Sequence, residues 1–211
     1  LLPLKEIKTN NVTLLSKNVK TTTHIKPILC YYAGYSDPFN GKNYQERNVY
    51  GSEISAIKLC EQFTKYYTVF IFCVCKEEII HNGVRYQHIS KYTQFQNLYP
   101  IDILIVSRFI HFFLEFRCLA KKVYYLLHDA RVHNYWKDKS LIDCGSPMFH
   151  NLISNFNKIV CVSDWHKHYF CNFVKVPTNY VQIIPNGFES KNFNVDFSKK
   201  IKNRFIYCSD P

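Results

Sequence analysis

The sequence alternates between short, continuous apolar runs and segments in which apolar residues recur every three or four positions. A continuous apolar run is typical of a strand buried on both faces, and the three-to-four spacing is typical of a helix with one buried face. We therefore predict buried parallel strands with intervening helices. Strands are predicted over residues 28–33, 68–74, 101–106, 123–127, 159–162, 181–184 and 204–208.

The first predicted helix begins at Gly51-Ser52-Glu53 and continues with one apolar stripe, formed by Ala56, Leu59, Cys60 and Phe63. Ser52 is predicted as its N-cap, and Glu53 stands where the positive end of the helix dipole favours an acid. Asn-Gly at 82–83 predicts a hairpin turn. Further helices are predicted over 109–119, over 148–156, and from an N-cap at Ser163 to residue 173.

These elements predict an α/β fold: a Rossmann-like, open, mostly parallel twisted sheet with helices on both faces. Residues 1–27 are polar and rich in Thr, Asn and Lys, and we expect an irregular lead-in segment there. Residues 28–202 are assigned to a single domain. Because the chain starts at Leu1 and ends shortly after its last predicted strand, we expect it to be part of a longer protein.

Charge and composition narrow the partners only in part. The formal net charge is +11, which attracts nucleic acid, acidic lipid or phosphorylated small molecules. The lysines are scattered, without an arginine-rich run or a basic heptad helix, so we expect no nucleic-acid partner. A basic α/β module that docks on acidic membrane or nucleic acid is the alternative to an enzyme.

The nine cysteines lie mostly inside apolar runs and show no Cys-x-x-Cys spacing, which indicates reduced, buried thiols. We expect a cytoplasmic protein, with peripheral membrane contact as a further possibility. His128, Asp129 and His133 could suggest a metal, but no further ligand stands at a recognisable spacing. We therefore expect no metal and no other cofactor.

Polar groups stand at the ends of several predicted strands. In an open parallel sheet the carboxyl ends of the strands share one edge, and ligands bind outside it. We expect the polar groups to converge there. They are Gly34 with its loop to Gly51, Ser107 with Arg108, His128 with Asp129, and Ser163 with Asp164.

The Gly51-Ser52 helix start is either an anion site or a plain N-cap, and the spacing favours neither. No G-x-G-x-x-G or Walker motif is present, which argues against a dinucleotide dehydrogenase and a P-loop NTPase. His128 could donate a hydrogen bond to a sugar hydroxyl or a phosphate. His166 and His168 stand two positions apart on a predicted helix, and we expect both to be solvated.

Four stretches together resemble the family 4 glycosyltransferases, which have the GT-B fold. They are Tyr-Gly-Ser-Glu at 50–53, Tyr-Leu-Leu-His-Asp at 125–129, Lys-Ile-Val-Cys-Val-Ser at 158–163, and Ile-Ile-Pro-Asn-Gly-Phe-Glu at 183–189. The last is the most specific, because it is similar to the family's I-P-N-G-V-D stretch. The resemblance covers about residues 28–211, and residues 203–211 resemble the start of the family's C-terminal, donor-binding domain.

The resemblance implies a retaining, generally metal-independent hexosyltransferase-type enzyme with two Rossmann-like halves. Residues 28–202 would be the N-terminal, acceptor-side half, so this chain alone is expected to be inactive. The implied partners are a nucleotide-sugar donor, a glycan, lipid or protein acceptor, an acidic membrane surface, and the C-terminal domain of the same protein.

The resemblance also implies candidate site residues. Gly51, with Ser52, would bind the donor diphosphate, and His128 would be the catalytic residue that contacts the transferred sugar. Glu53, Arg108 and Asp129 are the candidate acceptor-binding or sugar-binding residues. Ser52 stands where the family has a second glycine, so the first loop departs from the family's compact Gly-Gly form.

Overall fold

The computed structural model describes residues 26–44, 49–129, 146–187 and residue 198. Its strands are β1 (Ile28–Gly34), β2 (Thr68–Cys73), β3 (Ile79–His81), β4 (Val84–His88), β5 (Ile103–Ser107), β6 (Lys122–Leu126), β7 (Lys158–Cys161) and β8 (Val181–Ile183). They form a single sheet of order β3-β4-β2-β1-β5-β6-β7-β8. The strand predicted over 204–208 and most of the 1–27 lead-in lie outside the described residues.

Neighbouring strands are parallel throughout this sheet except for the antiparallel β3–β4 hairpin. Asn82 and Gly83 join that hairpin with φ values of 47° and 80°. Positive φ at both central residues is the geometry of the hairpin turns that match strand twist, so the predicted turn is confirmed. The predicted α/β class and mostly parallel sheet are confirmed as well.

The helices are α1 (Gly51–Phe63), α2 (Tyr92–Leu98), α3 (Phe112–Glu115), α4 (Pro147–Ser154) and α5 (Asp164–Val174). Helix α1 packs on one face of the sheet through Ala56, Ile57 and Cys60. Residues of α2, α3, α4 and α5 pack on the other face. The predicted arrangement of helices on both faces is thus observed. No helix in the described ranges is long and apolar enough to cross a membrane.

Successive residues of β1 bury their side chains on opposite faces, as the pleat of a fully buried strand requires. Tyr31 faces the α1 side, and Tyr32 faces the other. Tyr32 lies edge-to-face against Tyr92 and Phe112, with ring centroids 6.0 Å and 4.9 Å away. This aromatic packing fixes the connection after β5 against the end of β1.

The helix predicted over 109–119 is wrong in length, since α3 spans only Phe112–Glu115. From Phe116 the backbone is extended, with φ −127° and ψ 135°. Phe116, Cys118 and Ala120 pack against the core while the residues between them are exposed. This period-two burial is strand-like, and it takes precedence over the helical spacing at the start of the segment.

The capping prediction is wrong for Ser52 and confirmed for Ser163. Tyr50 is the N-cap of α1, with φ −68° and ψ 161°, and it makes no side-chain capping bond. Ser52 lies inside the first turn, where its hydroxyl bonds to other side chains. Ser163 is the N-cap of α5, and its hydroxyl accepts a hydrogen bond from the His166 N–H.

Candidate functional site

The polar strand ends converge where the winding of the sheet reverses. Strand β1 pairs with β2 on one side and with β5 on the other. The chain crosses to β2 through α1, on one face, and leaves β5 through α3, on the opposite face. Open parallel sheets bind ligands at such a switch point, outside the carboxyl ends of the strands.

Two residues at the switch point, Gly34 and Arg108, have a left-handed backbone conformation. Gly34 ends β1 with φ 69°, and a Cβ there would come within 2.2 Å of the Phe109 ring. Arg108 follows β5 with φ 63°, a conformation that costs a non-glycine residue about 1 kcal/mol or more. The neighbouring strand holds it there, because the Arg108 N–H donates to the Leu126 carbonyl and the Tyr125 hydroxyl donates to the Arg108 carbonyl.

The Arg108 side chain joins the start of α1 to the end of β6. Its Nη1 donates to Ser52 Oγ at 3.0 Å and lies 3.8 Å from Glu53 Oε1. Its Nε lies 3.0 Å from Asp129 Oδ2. The Ser52 hydroxyl in turn donates to Glu53 Oε2 at 2.9 Å. We refer to Ser52, Glu53, Arg108 and Asp129 as the Arg108 cluster.

The side chains of the Arg108 cluster differ in how far they are buried. The side chain of Glu53 is 6% exposed and that of Arg108 is 19% exposed, whereas that of Asp129 is 40% exposed. Glu53 therefore serves chiefly as the internal partner of the guanidinium, and Asp129 can also reach a ligand. Because two carboxylates face one guanidinium, the charged side chains of the cluster do not attract an anion. Its free carboxylate oxygens suit the hydroxyl groups of a neutral ligand.

The backbone at the start of α1, including that of Ser52, supplies the anion-binding groups that these charged side chains lack. The N–H groups of Glu53 and Ile54 donate to the Tyr50 carbonyl, but those of Gly51 and Ser52 find no acceptor among the described residues. Gly51 is exposed, and a Cβ placed on it would meet no atom of the described residues within 4 Å. A helix N-terminus with free donors and open space can accept a phosphate.

His128 follows β6 at the same rim and is half-buried. Its Nε2 atom is buried and has no hydrogen-bond partner among the described residues. Burial, with a smaller contribution from the Arg108 charge, lowers the pKa of His128 to about 4. The imidazole is therefore neutral near pH 7 and can both donate and accept a hydrogen bond.

His166 belongs to the same site, contrary to the prediction that it is solvated. It is 3% exposed, and its Nε2 lies 3.1 Å from the Asp129 backbone oxygen. A carbonyl only accepts, so this Nε2 carries the hydrogen. Burial lowers the pKa of His166. The exposed position of His168 agrees with its prediction.

A signal for His166 does exist in the sequence. It stands four and eight residues before Phe170 and Val174, which are buried on the inner face of α5. That i, i+4, i+8 stripe marks an inward-facing histidine, because residues four apart share one face of a helix. A buried histidine at the first turn of α5 can then fix the backbone that carries His128 and Asp129.

The structure thus brings Ser52, Glu53, Arg108 and Asp129 into contact and places Gly51 and His128 at the same rim. In the ranges that the structure describes, no group of three or more His, Cys, Asp or Glu side chains could hold a metal ion. His133, which the sequence paired with Asp129 as a potential ligand, lies outside those ranges. The cysteines in the described residues form no disulfide.

The fold resembles that of a solved protein. The crystal structure of Anabaena Alr3699/HepE in complex with UDP-glucose matches with a TM-score of 0.52 at 13% identity, covering 81% of this chain and 47% of that one. The same protein in complex with UDP matches with a TM-score of 0.48 at 15% identity, covering 82% and 47%. No protein family and no curated protein matches the sequence.

This chain therefore spans about half the length of HepE. At 13% identity the likeness concerns the fold and not the individual site residues. The shared architecture is the mostly parallel, open α/β sheet with helices on both faces.

Proposed function

We propose that this chain is the N-terminal, acceptor-side domain of a retaining, family 4 glycosyltransferase of the GT-B fold. The enzyme transfers a hexose from a nucleotide sugar to an acceptor. One observation carries the proposal: the Arg108 cluster and the open N-terminus of α1 meet at the switch point of the sheet. The likeness of that sheet to half of a protein crystallised with UDP-glucose supports it.

The donor diphosphate binds at Gly51 and Ser52. Their free N–H groups and the helix dipole stabilise negative charge, and that charge grows on the diphosphate as the bond to the sugar breaks. The open space above Gly51 admits the phosphate oxygens close to the backbone. This arrangement needs no metal ion and no other cofactor, so the nucleotide sugar is the only small molecule the reaction requires besides the acceptor.

The transferred sugar lies against His128 and Asp129. The neutral imidazole of His128 donates a hydrogen bond to the sugar, and the carboxylate of Asp129 accepts one from a hydroxyl. Arg108 and His166 both hold Asp129, one through its side chain and the other through its backbone oxygen. Glu53 holds Arg108 from the α1 side. Positioned groups of this kind act by fixing the reacting geometry before the transition state forms.

The C-terminal domain of the same protein completes the donor site in this proposal, in the cytoplasm or at its membrane surface. The test is a transfer assay on the full-length protein with a panel of nucleotide sugars, with residues 1–211 as the matched control. Full-length protein should transfer a sugar with retained anomeric configuration, and residues 1–211 should not. Multiple turnover by residues 1–211 would contradict the two-domain arrangement.

A second candidate function is docking on an acidic membrane, which the outer face of α5 favours. Trp165 and Phe173 are 67% and 49% exposed. Tyr169 lies between them, with ring centroids 5.4 Å and 5.9 Å away and nearly parallel planes. Aromatic rings beside Lys167 and Lys175 are typical of helices that lie in the lipid interface. The net charge of +11 adds attraction to anionic lipid.

Vesicle sedimentation tests the membrane candidate. The protein should bind vesicles that contain phosphatidylserine, and Trp165→Ser with Phe173→Ser should abolish the binding. Tyr66, which is 69% exposed and lies outside α5, provides a matched control as Tyr66→Ser. Equal loss of binding in the control, or binding that ignores lipid charge, would exclude this surface as the docking face.

A further inference from the structure

A second group of side chains lies at the same switch point, on the α3 side. Tyr35 directly follows Gly34 at the end of β1, and its hydroxyl donates to Glu115 Oε2 at 2.9 Å. Its ring stacks on the His111 imidazole, with centroids 5.9 Å apart and planes 16° from parallel. We refer to Tyr35, His111 and Glu115 as the Tyr35 platform. None of its members belongs to the Arg108 cluster.

Within the platform, His111 is the buried member that packs against the Tyr35 ring. It is 3% exposed, lies edge-on against the Phe109 ring, and has its Nε2 atom 3.7 Å from Glu115 Oε1. Burial lowers the pKa of His111 to about 4, so the ring is neutral near pH 7. The buried, neutral imidazole, itself packed on Phe109, gives the Tyr35 ring an uncharged ring to stack on and fixes its orientation.

Tyr35 itself remains open to ligand. Its side chain is 55% exposed although its hydroxyl and one ring face are both held. Because His111 covers one face, the exposed surface is the other face and the ring edge. Partial burial, followed by the bond to Glu115, raises the pKa of Tyr35, so the hydroxyl stays protonated and keeps donating. An exposed tyrosine fixed in orientation buries little apolar surface and presents a preformed flat face.

The platform lies at the ends of the same two strands as the crevice where the donor sugar is proposed to lie. Arg108 and His111 belong to the same short connection after β5. Tyr35 follows Gly34, whose backbone lies against the Phe109 ring of that connection. A group stacked on Tyr35 would therefore lie at the carboxyl ends of β1 and β5, the sheet edge that also carries the Arg108 cluster.

The chemistry of the platform selects one class of ligand. The face of an aromatic ring is electron-rich and attracts the C–H groups on the flat side of a sugar ring. The Glu115 carboxylate accepts hydrogen bonds and does not donate them, so it suits a hydroxyl and repels a phosphate. Aromatic face and carboxylate together fit a neutral carbohydrate better than an anionic lipid headgroup.

We infer that Tyr35 is the stacking platform for a sugar ring of the acceptor, with Glu115 accepting a hydrogen bond from one of its hydroxyl groups. The inference rests on the proposed glycosyltransferase function and commits its acceptor to a carbohydrate. Lipid and protein acceptors become outcomes of the test.

The test compares Tyr35→Ala, Tyr35→Phe and Glu115→Gln in the full-length protein, with Tyr66→Ala as the matched exposed control. Tyr35→Ala should raise the KM for a neutral oligosaccharide acceptor by about tenfold or more, and the donor KM by less than about twofold. Tyr35→Phe keeps the ring and loses the bond to Glu115. Its acceptor KM should therefore lie between that of the unchanged protein and that of Tyr35→Ala. Tyr66→Ala should resemble the unchanged protein.

A direct binding measurement separates this inference from the proposed function. Neutral oligosaccharides are titrated against the folded full-length protein and followed by ligand-observed NMR, which needs no turnover. Saturation transfer that disappears in Tyr35→Ala supports the platform even if no nucleotide sugar is turned over. Oligosaccharide binding or acceptor KM values that are the same in Tyr35→Ala and the unchanged protein would overturn it. So would a lipid or protein acceptor whose KM ignores Tyr35.

Discussion

The guanidinium of Arg108 lies 3.0 Å from the carboxylate of Asp129, measured from Nε to Oδ2, and so joins the ends of two neighbouring parallel strands. The same guanidinium reaches across the crevice to Ser52 at the start of α1. One side chain therefore sets the distance between the proposed phosphate site and the proposed sugar site.

Arg108→Gln should reduce both activity and stability. It leaves Glu53, which is 6% exposed, without its cation, and an uncompensated buried charge costs about 3 kcal/mol. We expect kcat/KM to fall by about a hundredfold, the scale of one well-placed polar group. Urea unfolding and steady-state kinetics measure the two effects.

The double variant Arg108→Gln with Glu53→Gln separates these effects. It removes the buried charge together with its partner, so most of the stability should return while activity stays low. Restored activity in the double variant would show that Arg108 acts only by neutralising Glu53.

Gly51→Val should block the proposed phosphate site without harming the fold. The added Cβ would meet no atom of the described part of the chain within 4 Å, so we expect it to displace only a ligand. We expect an unchanged melting temperature and a large rise in donor Kd. Gly34→Ala is the contrasting variant, because its Cβ would overlap the Phe109 ring at positive φ, and it should unfold more easily. Unchanged donor binding by Gly51→Val would place the phosphate elsewhere.

His128→Ala should affect chemistry more than folding. Its imidazole is half-buried and its Nε2 finds no partner among the described residues, so removing the side chain should cost less than about 1 kcal/mol. In the full-length enzyme kcat/KM should fall about a hundredfold. A much lower melting temperature with retained activity at low temperature would make His128 a structural core residue.

Stability should fall as the pH drops below about 6.5. The pKa of His111 is lowered to about 4 in the folded chain, so between these values the unfolded chain binds the extra proton. The contribution is complete above the unfolded pKa and lost as the pH falls towards 4, on the order of 3 kcal/mol for this residue. His128 and His166 act in the same direction.

Urea unfolding of residues 1–211 between pH 7.5 and pH 5 measures this loss. His111→Gln should reduce the dependence on pH, because it removes a group whose pKa is lowered by burial. The same slope in His111→Gln and the unchanged chain would show that His111 does not titrate on unfolding.

The centre of the sheet could be predicted from the sequence because β1, β2 and β5 are buried on both faces. Continuous apolar runs of that length, such as β2, are typical of fully buried strands, and parallel strands bring Arg108 and Asp129 to one rim. The helix predicted after β5 was wrong in length, because aromatic residues there satisfy helical spacing first and strand-like alternation later.

Side-chain roles within the site depended on tertiary contacts that no local pattern contains. Ser52 has the residue type of an N-cap, but the helix begins at Tyr50, so the hydroxyl faces Glu53 and Arg108 instead. Tyr35 follows β1, whereas Glu115 lies in α3, after β5. The two side chains meet only because β1 and β5 are neighbours in the sheet.

The transfer of sugar by the full-length protein, with and without Gly51→Val, tests the central claim most directly. A panel of radiolabelled nucleotide sugars is offered together with neutral oligosaccharides, and product is separated and counted. The account predicts a product from at least one donor, with retained anomeric configuration, and near-complete loss of that product in Gly51→Val at an unchanged melting temperature. Folded full-length protein that neither binds nor turns over any nucleotide sugar in the panel would contradict it.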